Sequence, residues 1–189
     1  MAERFTITAT AVAGVAVVER RTLGDDRGFL ERLYCADELP GFPHPPVQIN
    51  RTLTRRVGSV RGLHFQRPPR GEAKLVSCLR GRVFDVALDL RAGSTTFGHV
   101  VTAELSADNR RALLIPEGCA HGFQTLEPDS ELLYLHSTFY APDAEGGIHH
   151  ASPALGIKWP LTPVGLSARD KALPAFSEAT PALAVAVTP

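Results

Sequence analysis

Arg82 to Leu90 reads RVFDVALDL, and its alternation decides the fold class. Val83, Asp85, Ala87 and Asp89 fall on one side of an extended chain. Phe84, Val86, Leu88 and Leu90 fall on the other, so one face is mixed and one is apolar. Outward from this stretch, short β-branched runs recur between turn residues. They predict strands over Ala13–Glu19, Phe29–Tyr34, Gln48–Thr54, Val60–Phe65, Lys74–Arg80, Arg82–Leu90, Val100–Leu105, Ala112–Ile115, His121–Thr125 and Glu131–Thr138. Turns are marked by Gly24-Asp25-Asp26, Pro40-Gly41, Arg91-Ala92-Gly93-Ser94, Ala107-Asp108-Asn109 and Glu127-Pro128-Asp129. So many short strands at close spacing predict an all-β sandwich or barrel rather than a parallel sheet with crossover helices. Helical pattern is confined to Cys35–Leu39 and Ser167–Leu173.

The 189 residues are read as one domain over 1–172, followed by an Ala- and Pro-rich tail, 173–189, expected to be mobile. A hydrophobic share of 44% with nine Phe supplies a core. Twenty basic and twenty acidic residues leave no global field to favour nucleic acid or an anionic membrane, so an anionic ligand must be held by local cations. Cys35, Cys78 and Cys119 are odd in number and lack a CxxC pair. They read as free thiols in a reducing, cytoplasmic setting. The apolar run Ala9–Val18 lacks the basic start and small-residue end of a signal peptide and falls short of the ~20 residues of a membrane span, so it reads as strand.

Two segments carry chemistry. RGLHFQRPPRGEAK, Arg61 to Lys74, sets His64 between the cations Arg61 and Lys74. A neutral imidazole among cations suits taking a proton from an anionic, carbonyl-bearing substrate, because the cations hold the ligand and stabilise the oxyanion that forms. PEGCAHGF, Pro116 to Phe123, supplies a second histidine, His121.

RGLHFQRPP, KLV, GRVFDVALDLRAGSTTFG, IPEGCAHGFQTL, LLY with Tyr140 and Pro142 beyond it, LGIKWP and LSARD, in that order, resemble the dTDP-4-dehydrorhamnose 3,5-epimerase family from about Asp26 to Asp170. The resemblance implies a cupin-type jelly roll with short peripheral helices, a homodimer, no cofactor and no metal. It also implies inversion of the carbons flanking the keto group of a nucleotide-linked 4-keto-6-deoxyhexose. By motif position His64 would be the base and Asp170 the carboxylate that orients it. Lys74 would stabilise the enolate, with Arg61 as a second cation, and Tyr134 would reprotonate from the opposite face. Tyr140 would stack on the nucleotide base, while Arg27, Gln48, Asn50, Arg61, His121, Glu145 and Arg169 would complete the substrate contacts.

The chain departs from the family pattern in three places. Arg32 stands where a glutamate is expected five residues after Arg27, with Glu31 one position early; in a strand that shift changes faces. Glu72 stands where many relatives have Gln, and IHHASP, Ile148 to Pro153, replaces an aromatic-x-Asp-Pro pattern. Plain alternatives stay open: His121 bonded to a turn, Tyr134 as core packing, Asp170 as a helix cap. So do a monofunctional 3- or 5-epimerase acting on another nucleotide sugar and a non-catalytic sugar-binding cupin. A metal cupin would need His-x-His plus Glu, whereas Gln66 lies two residues after His64.

Overall fold

The computed structural model describes residues 4–43, 45–185 and 187. Its strands are β1 (Phe5–Ala9), β2 (Ala16–Arg20), β3 (Thr22–Asp25), β4 (Gly28–Glu31), β5 (Gln48–Thr54), β6 (Val60–Gln66) and β7 (Lys74–Arg80). There follow β8 (Arg82–Asp89), β9 (Val100–Ser106), β10 (Arg111–Ile115), β11 (Cys119–Thr125), β12 (Ser130–His136) and β13 (Glu145–Gly147). A 3-10 turn spans Pro153–Leu155 and a one-turn helix, α1, spans Ala168–Lys171. One sheet runs β1-β2-β10-β7-β12-β5 and the other β13-β6-β11-β8-β9, while β3 and β4 pair as a separate hairpin. The ladders within both sheets are antiparallel. Two such sheets, joined by connections that pass from one to the other and closed over a shared core, form a cupin-type jelly roll.

The two faces of β8 show how the layers are built. Val83 and Ala87 point between the sheets and join Val76, Leu113, Ile115 and Leu132 of the facing sheet in one buried cluster. The wholly apolar face, Val86, Leu88 and Leu90 with Phe84 partly buried, points outward instead. There it is covered by Ile148, Leu155, Trp159, Phe176 and Leu183. A face that apolar needs a cover, and the C-terminal segment supplies it. Of the tail 173–189 expected to be mobile, residues 173–185 are thus held down, while 186, 188 and 189 lie outside the described residues. Leu183 exchanges backbone hydrogen bonds with Leu90 and Ala92, and the Phe176 amide donates to Ser152 Oγ at 2.9 Å. Burying a side chain such as Leu183 contributes about 1.5–3 kcal/mol, which offsets the ordering of a segment without periodicity. The outer face of the other sheet is covered in the same way by Tyr34, Cys35, Leu39 and Phe42.

The segment Cys35–Leu39 does not become a helix. The Leu39 amide closes a single turn onto the Cys35 carbonyl, and Pro40-Gly41 then ends it. The strand expected over Phe29–Tyr34 stops at Glu31, and three short strands, β1, β3 and β13, carried too few alternating residues to be read. The early Glu31 accepts from Arg20 Nε at 3.0 Å. Arg20 is buried and also donates to Ser77 Oγ at 2.6 Å, so the displaced carboxylate neutralises an interior cation. Arg32, at the family's glutamate position, pairs with Glu38 at the surface. Among the described residues no helix is long and apolar enough to cross a membrane.

Candidate active site

A cavity of about 850 Å³ opens between the two sheets, lined by β5, β6, β7, β11, β12 and α1. Two glycines let β6 and β11 close on each other beside it. A Cβ on Gly62 would lie 2.6 Å from the Gly122 Cα and the His121 carbonyl oxygen, and one on Gly122 would lie 2.7 Å from the Arg61 carbonyl oxygen. The β6–β11 register shifts between His121 and Phe123, and His64 and His121 become cross-strand partners that both line the cavity. The glycines of RGLHF and AHGF are therefore required by backbone contact.

His64 Nε2 lies 2.6 Å from Asp170 Oδ1. Asp170 is placed by a capped helix start: Ser167 is the N-cap, and its Oγ accepts the Asp170 amide at 3.0 Å. Asp170 is thus not itself the cap; its carboxylate is free for the imidazole. Burial lowers the proton affinity of His64, and the Arg169 and Lys74 charges act in the same direction. Together they outweigh Asp170, so the ring is held neutral. Lys74 Nζ lies 2.9 Å from Glu72 Oε1 and 3.4 Å from the His64 carbonyl oxygen.

Tyr134 enters from β12, on the opposite sheet to His64. Its ring stacks on His136 at 6.0 Å and meets His121 edge-on at 5.9 Å. Burial pushes the phenol well above its usual range and the nearby Asp85 charge adds to this, so it holds its proton. His121 Nε2 faces both carboxylate oxygens of Asp85, at 2.9 and 3.0 Å. This disposes of the turn-bonded alternative for His121. At the cavity mouth Glu145 Oε2 accepts from Tyr140 Oη at 3.1 Å and from Arg169 at 2.8 Å, and Gln48 Oε1 accepts the Tyr140 amide at 3.0 Å. The Tyr140 ring is left exposed. Arg61 and Asn50 also line the cavity.

Arg27 is the predicted site residue that this cavity does not include. It sits at the tip of the β3–β4 hairpin and pairs with Asp25 in the open. Three further contributors were not read as site residues. Asp85 was visible on the mixed face of RVFDVALDL, but nothing in the sequence named His121 as its partner. His136 was missed altogether, and Glu72 was noted only as a departure. Gln66, at the position where a metal cupin would carry histidine, ties two loops together by bonding Arg70, Phe139 and Ala141.

A jelly roll whose cavity brings together a histidine–aspartate pair, a tyrosine on the facing sheet and a buried lysine has the makeup of a cupin-class enzyme site. The family model for dTDP-4-dehydrorhamnose 3,5-epimerase matches residues 9–178. The chain belongs to that family. It is 43% identical over 177 residues to the dTDP-4-dehydrorhamnose 3,5-epimerase of Salmonella typhimurium, covering 92% of this chain and 96% of that one. It is 40% identical over 163 residues to the dTDP-4-dehydrorhamnose 3-epimerase of Streptomyces niveus, covering 85% and 78%. Among solved structures it matches the dTDP-6-deoxy-D-glucose-3,5-epimerase of Legionella pneumophila in complex with dTDP-4-keto-L-rhamnose. That match has a TM-score of 0.84 and 37% identity, over 92% of this chain and 99% of the other.

Proposed function

We propose that this chain inverts C3 and C5 of a dTDP-linked 4-keto-6-deoxyhexose by proton removal on one face of the sugar and return on the other. The observation that carries this reading is the placement of His64 and Tyr134 on opposite sheets across one cavity, with Lys74 beside them. His64, neutral and oriented by Asp170, takes the proton from the carbon next to the keto group. The negative charge moves to O4, where Lys74 stabilises it. Tyr134, which keeps its proton because it is buried, delivers it to the opposite face. A positioned base of this kind contributes ~10²–10⁴ in rate. The exposed Tyr140 ring, braced by Glu145 and Gln48, offers a platform for the nucleotide base.

The active form in this reading is a homodimer. Among the described residues, the cavity's charged side chains are Arg61, Lys74 and Arg169 against Glu72, Glu145 and Asp170. They balance, so a diphosphate needs a further cation. The β3–β4 hairpin offers Arg27 together with the exposed side chains of Leu23, Phe29 and Leu30, a combination suited to lodging against a second copy. Arg27→Ala should then raise KM several-fold and leave kcat within about twofold.

The deciding experiment is proton NMR in deuterium oxide with dTDP-4-keto-6-deoxyglucose, following H3 and H5 separately. Exchange and inversion at both carbons is the expected result. Exchange at H3 alone would select a 3-epimerase, the activity named for the Streptomyces niveus relative. No exchange at either carbon would reduce the chain to a sugar-binding cupin and overturn the proposal.

A further inference from the structure

Strand β5 brings one more side chain to the cavity wall, and the reading above gives it no task. Thr52 stands two residues after Asn50 and lines the same cavity. Asn50 is the cross-strand partner of Tyr134, and Thr52 that of Leu132, so Thr52 is the diagonal neighbour of Tyr134 on the β5–β12 ladder. Diagonal neighbours lie about 7–8 Å apart in the backbone, within reach of a tyrosine side chain. Thr52 Oγ1 is buried, and among the described residues it has no hydrogen-bond partner. A buried donor left unpaired costs stability, so packing alone does not account for this hydroxyl.

The Tyr134 ring is held by its neighbours. It stacks on His136, whose Nδ1 lies 2.8 Å from Glu72 Oε2, and it meets His121 edge-on. Other groups govern how readily its oxygen gives up a proton. Burial and the Asp85 charge oppose a phenolate there, whereas the Thr52 hydroxyl and the Arg61 guanidinium favour one. Arg61 is also a cation of the wall that faces the substrate; Thr52 is uncharged and otherwise unengaged. An O–H donor with no partner is thus set beside the oxygen that acquires negative charge when Tyr134 acts as an acid.

We propose that Thr52 is a positioning residue for the acid step, its hydroxyl donating to the Tyr134 oxygen as that oxygen loses its proton. The proposal rests on the reading of Tyr134 as the acid. In that step the Tyr134 O–H bond breaks and its electron pair stays on oxygen as the phenolate. The enolate's electron pair forms the new C–H bond, and the keto group is restored. The phenolate regains a proton from water once the product has left. The bond from Thr52 strengthens only as the charge appears, so it speeds reprotonation without tightening the hold on the substrate. Proton removal by His64, on the other sheet, does not draw on it.

Thr52→Val replaces the hydroxyl with a methyl group of the same shape. Loss of a hydrogen bond to a charged oxygen should lower inversion roughly tenfold or more. KM should stay within about twofold, and C–H to C–D exchange in deuterium oxide should be largely kept. Thr52→Ser should restore inversion. The valine variant should be at least as stable as the wild type in denaturant unfolding, because an unpaired buried donor has been removed. Inversion at the wild-type level in Thr52→Val would overturn the proposal. Equal loss of exchange and inversion, or an effect mainly on KM, would make Thr52 a substrate contact and overturn it too; a clear loss of stability would make the hydroxyl a structural one, with the same consequence. Thr52→Val added to Tyr134→Phe should cost nothing further, since the hydroxyl then has no phenolate to serve, and an additional loss would count against the pairing. Tyr134→Phe alone separates this inference from its foundation. Unchanged inversion in that variant would overturn both, whereas lost inversion there beside wild-type inversion in Thr52→Val would overturn the role of Thr52 alone.

Discussion

His64 and His121 face each other across the β6–β11 ladder, and each is bonded to a carboxylate, yet the two pairs sit at different depths. The His64 side chain is 28% exposed and its Asp170 5%; for His121 and Asp85 the figures are 6% and 0%. A ring with one edge on a carboxylate and the other open to the cavity can take a proton and pass it on. A ring sunk beside a carboxylate that meets no solvent shows the cavity far less of itself. Depth, rather than residue type, therefore separates the pair suited to proton transfer from the pair suited to a fixed contact.

The largest expected effect is that His64→Ala lowers turnover by about 10²–10⁴ while the protein stays folded, because a part-exposed ring carries little of the core. Substantial residual exchange of H3 and H5 in deuterium oxide would show that another group is the base and would erase the contrast. Tyr134→Phe should come next. Inversion should drop by roughly 10²-fold while C–H to C–D exchange persists, since the intermediate still forms and regains deuterium from His64 on the face it left. Equal loss of both would assign Tyr134 to packing or binding.

The deep pair should show itself in stability. Asp85→Ala leaves His121 without its partner in the core and should cost about 3–5 kcal/mol in denaturant unfolding, clearly more than Asp170→Ala. Equal costs would mean that depth does not divide the pairs. The smallest effect is the position of the acid limb. Burial and the Arg169 and Lys74 charges lower the pKa of His64 below its ordinary value of ~6.5, so kcat/KM should rise with pH and level off before that point. The unfolded chain takes the proton more readily, so the same group also makes the fold less stable as pH falls through ~6.5. A limb lying above 6.5 would mean that Asp170 dominates after all.

The pairs were legible to different degrees. His64 and Asp170 are separated by 106 positions, and only their motif positions linked them. Asp85 and His121 were both in view as a polar residue in a strand and a histidine after a turn, but no local pattern joins positions 36 apart. Glu72 and His136 lie 64 apart, and a histidine at the end of an apolar strand carries no signal of its own. Arg27 was read as a contact and lies outside this chain's cavity, because sequence order does not say where a hairpin places its tip.

What the sequence determined by itself was the set of strands. Alternation follows from the two-residue repeat of extended backbone, so RVFDVALDL had to be a strand with a mixed and an apolar side. The cap at Ser167, whose Oγ takes the Asp170 amide, is likewise a local demand of backbone geometry. Which side of β8 faces the other sheet was decided only by the tertiary structure. The apolar side was the natural candidate for the interior, yet it faces outward beneath Phe176 and Leu183, while the side carrying Asp85 turns in towards His121. Alternation assigns residues to opposite faces, but burial of each face depends on what packs there, and that comes from segments far along the chain. The same reason makes an ordered cover of residues 173–185, whose own sequence has no periodicity to announce it.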